Sequence, residues 1–219
     1  IGLNNTVITR EEYNRNLISY DKLEASIGYP IIVKPNSLHA SRGIYNDSIV
    51  YSRDKLDTAI LRLFNKFENI NEVLIEHFAE NCTEYTVSVL GNGNALACSV
   101  SRLDYIQDQK IHINSETEKL LPLSQRNFRF NTEDNLEIHK CLIYHAKTLF
   151  KHFHLRDYGR FDMVINNNSY FLLEANTCPI PGNSFSWEWQ IKYGLKKKQI
   201  VALYLAAFHF RQIKNGKPS

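Results

Sequence analysis

An α+β fold is what this chain of 219 residues predicts, and three observations carry the expectation. β-branched apolar runs are closed by proline or by glycine–asparagine turns, helical-period stretches stand among them, and the two kinds of segment follow in a definite order. The composition allows a packed core. Hydrophobic residues make up 43% and charged residues 22%, and no long Gly, Ser or Pro tract marks disorder or a collagen-like chain. The length fits one large domain or two small lobes.

The first clear element is Tyr29-Pro-Ile-Ile-Val-Lys34-Pro35, an apolar run ended by proline that reads as a buried strand with Lys34 at its end. Ser52 caps a helix over Arg53 to Phe67, where Leu56, Ile60, Leu63, Phe64 and Phe67 recur at helical spacing. Glu72 to Glu76 is a second short strand. Tyr85 to Leu90 alternates, turns at Gly91-Asn-Gly93-Asn94 and pairs back through Ala95 to Leu103. Polar residues without a period fill Tyr105 to Arg129, which predicts a long, partly irregular loop. A helix from Asn131 to about Phe153 follows. Gly159 to Ile165 and Tyr170 to Asn176 are two strands joined by a turn at Asn166 to Ser169, and a closing helix runs from about Lys196 to Ile213.

Several classes of function are excluded or disfavoured. The longest apolar run, Ile200 to Phe210, is broken by Tyr204 and His209 and falls short of the roughly 20 residues that cross a bilayer, so no membrane partner is expected. The formal charge of +3 is too small to indicate a nucleic-acid protein, and it suits a polyphosphate ligand equally well. Cys82, Cys98, Cys141 and Cys178 form no C-x-x-C pair, so a zinc site or disulfide framework is not indicated and a reducing cytoplasm is the expected home. The first residue is Ile1 and not Met, nothing at the start has the basic and apolar regions of a signal peptide, and the chain is expected to be a fragment of something longer.

The chemistry concentrates in the last hairpin. Period two puts Arg160, Asp162 and Val164 on one face of the first strand, and Leu172, Glu174 and Asn176 on one face of the second. If Asn166 pairs with Tyr170, Asp162 lies opposite Glu174 and Arg160 opposite Asn176. Facing carboxylates repel unless a cation neutralises them, and hard oxygen ligands suit magnesium held together with substrate phosphates. Arg160 would then meet a phosphate or a developing oxyanion. The bland alternative is a solvated face with an Arg160–Asp162 ion pair. Lys34, followed by Asn36-Ser-Leu-His-Ala-Ser-Arg-Gly43, either reaches phosphate oxygens cradled by the loop's N–H groups or is a snorkelling strand-end lysine. Glu76-His77-Phe78-Ala79 reads either as a hinge between lobes or as a plain loop.

Taken in order, Tyr29-Pro-Ile-Ile-Val-Lys-Pro, Val73-Leu-Ile-Glu76 with Glu84-Tyr-Thr-Val, Gly159-Arg-Phe-Asp162 and Leu172-Leu-Glu-Ala-Asn-Thr-Cys-Pro179 resemble the motifs of the ATP-grasp superfamily, and most of all those of the D-alanine–D-alanine ligase family. The resemblance covers nearly the whole chain. It implies two α+β lobes clamping ATP, here residues 1–76 and 77–219, and a carboxylate–amine ligase that works through an acyl phosphate on an amino acid or small peptide. It implies that Lys34 holds the α and β phosphates, that Glu76, His77 and Ala79 meet the adenine, and that Glu84 takes the ribose hydroxyls. Leu173 would floor the adenine. Asp162, Glu174 and Asn176 would bind Mg2+, with Mn2+ an alternative, and Arg160 would stabilise charge in both transition states. The partners implied are ATP and a small carboxylate and amine pair.

The departures shape further expectations. The family's glycine-serine-serine loop corresponds to His39-Ala40-Ser41, so only Ser41 matches, and Lys110 is the nearest candidate for a lysine of the long mobile loop. After Asn176 the family's glycine place holds Ile180 and its serine place Phe185, with Gly182 displaced and Ser184 or Ser186 near enough to substitute. This predicts an acceptor larger or less polar than D-alanine. The family's N-terminal substrate lobe precedes Ile1, and a homodimer through that lobe is the assembly the resemblance allows. A nucleotide-binding regulatory module without ligation is the alternative to the enzyme. Bland readings cover the rest: His139, His145, His152 and His154 as surface histidines, Trp187 and Trp189 as core or pocket wall, and Lys196 to Lys198 as a solvated face.

Overall fold

The structure is a computed structural model, and it describes residues 3–39, 41–106, 113, 115–166, 169–179 and 183–214. The chain forms two compact units, Gly2–Asn81 with Gln107–Asn127, and Cys82–Ile106 with Phe128–Ser219. The division therefore falls five residues later than the expected break after Glu76, and residues 107–127 return to the first unit instead of staying with the second. Two contacts give the reason. The strand expected to end at Glu76 continues to His77, and Glu116 of the returning segment is bonded to the Gly43 N–H and the Tyr45 hydroxyl.

The first unit consists of β1 (Asn5–Thr9), α1 (Arg10–Asn14), α2 (Tyr20–Ile27), β2 (Ile31–Pro35), β3 (Ile49–Val50), α3 (Arg53–Lys66), β4 (Glu72–His77) and α4 (Glu116–Leu120). Its sheet is antiparallel in the order β1-β4-β2-β3. Ile31, Val33, Ile75 and Val73 pack against Leu56, Ile60 and Leu63 of α3, which presents the stripe that its period predicts. Ser52 holds the N-cap position of α3 but makes no side-chain bond to it. The other end is closed by Arg10, whose guanidinium donates to the carbonyls of Phe64, Phe67 and Ile70. Neither β1, α1 nor α2 was expected from the sequence.

The second unit consists of β5 (Thr83–Asn92), β6 (Ala95–Tyr105), β7 (Phe128–Asn131), α5 (Leu136–His152), β8 (Asp157–Asn166), β9 (Ser169–Asn176), α6 (Asn183–Tyr193) and α7 (Lys197–Lys214). The sheet order is β7-β6-β5-β8-β9, antiparallel throughout. β7 overlaps the end of the stretch expected to be loop and takes Asn131 from the expected helix, because Phe128 to Asn131 pairs with the end of β6, and α5 starts only at Leu136. The β5–β6 turn is the two residues Gly93 and Asn94. Gly91, at φ 123°, has no room for a Cβ, which would run into the Ala95 carbonyl oxygen.

Period two divides this sheet. Tyr85, Val87, Val89, Val100, Phe161 and Met163 face α5, where Leu142, Ala146 and Phe150 complete the core. On the other face, α6 and α7 cover one end, where Leu90, Trp189, Ile200 and Tyr204 are buried together with Tyr158 alongside. α7 is anchored by Arg211, which donates twice to Asp157 at 2.8 and 2.7 Å. Among the described residues, no helix is long and apolar enough to cross a membrane.

α6 solves an edge problem. β7 pairs with β6 only from Arg102 onward, so Cys98 and Val100 lie on an open edge with polar groups to satisfy. Trp189 Nε1 donates to the Cys98 carbonyl at 3.0 Å, and Glu188 accepts the Val100 N–H at 2.5 Å. Glu188 is buried and also bonded to His139 Nε2 at 2.7 Å and Lys192 Nζ at 2.6 Å. His139 is therefore a helix-to-helix tie and not the surface histidine expected. Burial works to raise the Glu188 carboxyl, but the bonds from Lys192, the Val100 N–H and His139 win and hold it below the usual range.

Glu188→Ala should cost about 3 kcal/mol of stability, because it leaves a buried N–H, the Lys192 ammonium and the His139 ring without their acceptor. A carboxyl held low stabilises the fold above its unfolded value of about 4.3 and ceases to do so as pH falls through the folded value. Denaturant unfolding at pH 7 should therefore show the full difference between wild type and variant. At progressively lower pH, below about 4.3, the two should converge.

Candidate active site

The β8–β9 hairpin sets the geometry. Arg160 lies opposite Asn176 and Asp162 opposite Glu174, the juxtaposition expected from the sequence. The route to it differs from the expectation. Asn166 pairs with Ser169 and not with Tyr170, and Met163 pairs with Leu172, so Leu173 is an extra residue between two stretches of ladder. This β-bulge changes the strand's faces. Leu172 packs with the α5-side core, so it does not share a face with Glu174 as expected, whereas Glu174 and Asn176 join Arg160 and Asp162 on the opposite face. Leu173 itself is half-buried at the bulge.

Asp162 is held from two sides. Thr86 Oγ1 donates to its Oδ1 at 3.0 Å and Arg160 Nη2 to its Oδ2 at 2.7 Å. The Arg160–Asp162 ion pair is the feature the bland reading expected, and here it coexists with the facing carboxylates. Glu174 is exposed, and Asn176 Oδ1 accepts the Cys178 N–H at 3.1 Å, an Asx-type turn that fixes the amide just beyond the strand. Two carboxylates and an amide oxygen on one face make a hard, oxygen-only donor set, and such a set fits magnesium. Among the described residues there is no cluster of three or more His, Cys, Asp or Glu side chains arranged for a metal.

Glu84 stands on the same face of β5, two residues before Thr86, with Tyr105 Oη donating to its carboxylate at 3.0 Å. The first unit carries the remaining candidates. Lys34 Nζ meets Glu76 Oε2 at 2.5 Å, a diagonal cross-strand pair between β2 and β4 with Glu76 buried. Sequence reading gave both residues roles without seeing that they pair. The His77 amide donates to the Asn4 carbonyl and its ring lies 3.3 Å from the Gly28 carbonyl, while Ala79 follows the end of β4 and is half-buried.

The loop after Lys34 is not a set of open amides. The N–H groups of Arg42 and Ile44 bond to His39 and Ser41 carbonyls, and the Gly43 N–H donates to Glu116 at 3.0 Å. Ser41 sits at φ 58° in this turn. The bonds from the Tyr45 hydroxyl and the Gly43 N–H hold the Glu116 carboxyl below its ordinary range. Lys110, Ala40, Ile180, Pro181 and Gly182 lie outside the described residues, as do the side chains of Ser184, Phe185 and Ser186.

A family model described as D-ala D-ala ligase C-terminus matches residues 3–205. The chain is 32% identical over 176 residues to a D-alanine–D-alanine ligase of Buchnera aphidicola subsp. Baizongia pistaciae, covering 78% of this chain and 52% of that protein. It is 30% identical over 170 residues to one of Sulfurimonas denitrificans, covering 78% and 46%. It thus spans about half the length of the curated relatives it matches. Among solved structures, the VanG D-Ala:D-Ser ligase of Enterococcus faecalis superposes with a TM-score of 0.71 at 20% identity, over 94% of this chain and 57% of that one. A D-alanine–D-alanine ligase of Bacillus anthracis gives 0.70 at 19%, over 97% and 64%. These likenesses establish the ATP-grasp fold.

The Lys34–Glu76 pair generates a test. Lys34→Met should destabilise the protein by on the order of 3 kcal/mol, since it strands a buried carboxylate. The double variant with Glu76→Gln should recover most of that loss. Urea unfolding of the single and double variants reads the difference, and equal losses would mean the pair is not coupled.

Proposed function

The chain belongs to the D-ala D-ala ligase C-terminus family, and on that premise we propose that the protein containing it is an ATP-dependent carboxylate–amine ligase acting through an acyl phosphate on an amino acid or small peptide. The observation that carries the reading is the hairpin register, which sets Asp162 against Glu174 and Arg160 against Asn176. A solvated ion-pair face has no need of a bulge that turns two further oxygen ligands towards Asp162.

In this reading the first unit supplies Lys34 to the α and β phosphates, the chain around Glu76, His77 and Ala79 to the adenine, and the turn at Ser41 as phosphate cover. Lys34 is held by Glu76 before nucleotide arrives, so its charge is already positioned, and a phosphate competes for it with a carboxylate. The second unit supplies Glu84 to the ribose and Leu173 as an apolar floor. Asp162, Glu174 and Asn176 would hold magnesium, which neutralises phosphate charge there. Arg160 is fixed by its bond to Asp162, so its remaining N–H groups are aimed before charge develops on the transferring phosphoryl group and on the oxygen of the tetrahedral intermediate. Lys110 is the proposed loop lysine. The replacements Ile180 and Phe185 favour an acceptor larger or less polar than D-alanine.

The test is calorimetry of ADP binding with and without magnesium. Wild type should bind nucleotide in a magnesium-dependent way, and Glu174→Gln should lose most of that dependence while keeping its fold. If the variant binds ADP with the same response to magnesium, the hairpin is not the metal site.

A further inference from the structure

Asp162 and Glu174 face each other across β8 and β9, yet the two carboxylates are held differently. Glu174 is an exposed side chain on the edge strand of the sheet. Asp162 is half-buried, and each of its oxygens accepts a bond from a different strand. Thr86 Oγ1 of β5 donates to Oδ1 at 3.0 Å, and Arg160 Nη2, from Asp162's own strand, donates to Oδ2 at 2.7 Å. Thr86 lies directly opposite Asp162 in the β5–β8 ladder and is buried. Its branched side chain is stiff about χ1, so the hydroxyl is aimed by the strand itself. A carboxylate offers about four lone-pair sites, and one bond to each oxygen leaves both oxygens able to meet a cation.

The Arg160 guanidinium shows what the Thr86 bond prevents. Arginine meets a carboxylate most strongly through two parallel N–H bonds, and Nη2 and Nε form one edge of the guanidinium suited to such a fork. Nη2 is bonded here, whereas Nε is buried and has no hydrogen-bond partner among the described residues. The oxygen that would complete the fork is Asp162 Oδ1, and Thr86 holds it. A buried N–H without a partner costs free energy, so closure of the fork is favoured unless another donor competes for Oδ1. A closed fork would spend both Asp162 oxygens on the guanidinium. It would also tie down the N–H groups that the ligase reading assigns to developing negative charge.

We propose that Thr86 is a positioning residue of the metal site, whose hydroxyl holds Asp162 out of a bidentate pair with Arg160 and so keeps the carboxylate open to a divalent cation. The inference rests on the ligase reading and deepens it. It also accounts for the unpartnered Arg160 Nε, which is the cost of keeping the two side chains apart.

The experiment uses the full-length protein and two substitutions that separate hydrogen bonding from packing. Thr86→Val keeps the shape of the side chain and removes the donor, whereas Thr86→Ser keeps the donor and removes a buried methyl. Calorimetry of ADP binding across a magnesium series, thermal unfolding without metal and a metal-free crystal structure are the readouts. Thr86→Val should need roughly tenfold more magnesium for half of the full enhancement of ADP binding, the scale found for partners that orient a metal ligand. Its binding of ADP without metal should be unchanged, and it should unfold near the wild-type temperature. Thr86→Ser should follow wild type in its magnesium response although it unfolds at a lower temperature. In the metal-free Thr86→Val crystal, Arg160 Nε and Nη2 should both bond to Asp162. A magnesium response that is the same in Thr86→Val and wild type overturns the inference, as does one that weakens in Thr86→Ser as much as in Thr86→Val. An Asp162 that keeps its single bond to Arg160 in the Thr86→Val crystal overturns it as well. If ADP binding by wild type does not respond to magnesium at all, the metal reading of the hairpin fails and this inference falls with it. A wild-type response that Glu174→Gln abolishes and Thr86→Val leaves intact rejects the inference alone.

Discussion

Leu173, the extra residue of β9, decides which side chains of that strand face Asp162. Faces alternate along a strand, so one unpaired residue exchanges every position beyond it. Tyr170 and Leu172 pack on the α5 side before the bulge and Ala175 does so after it. An unbroken ladder from the observed turn would send Glu174 and Asn176 into the core beside Phe161 and Phe150, where a carboxylate is strongly disfavoured, and would set Ala175 towards Asp162. The bulge meets both demands at once, keeping the core apolar and bringing two carboxylates, an amide and a guanidinium to one face.

That face is graded along the strands. At one end Leu90, Trp189, Ile200 and Tyr204 are packed and dry, then comes the level of Ser88 and Arg160, then that of Thr86, Asp162 and Glu174. The dry end depends on α6 lying along the open edge of β6, which it can do because Glu188 and Trp189 satisfy a backbone N–H and a carbonyl there. The first unit follows a comparable logic. Its strand-end lysine would be a free cation at the rim of an apolar sheet, and the buried Glu76 on the adjacent strand holds it in place.

Much of this was legible in the sequence. The strands around Val33 and Val87, the helix of Leu56, Ile60 and Leu63, and the Gly93-Asn94 turn follow from period and turn chemistry, and the ordered motifs pointed to the ATP-grasp fold. The pairing of Asp162 with Glu174 was also anticipated, but through a turn one residue longer, because a bulge leaves no compositional mark: Leu172 and Leu173 read alike. α6 escaped notice since Trp187, Glu188 and Trp189 are consecutive and offer no stripe. β7 was hidden by its four residues, two of them polar. The Lys34–Glu76 pair joins residues far apart in sequence, and only the β2–β4 register brings them into contact.

The most direct measurement is anomalous diffraction from crystals of the protein grown with manganese and ADP. The account predicts an anomalous peak at coordinating distance, roughly 2 to 2.5 Å, from oxygens of Asp162, Glu174 and Asn176, with Leu173 unpaired between Leu172 and Glu174. A nucleotide-bound metal held by other residues, or a continuous β8–β9 ladder with Glu174 turned towards α5, would contradict it.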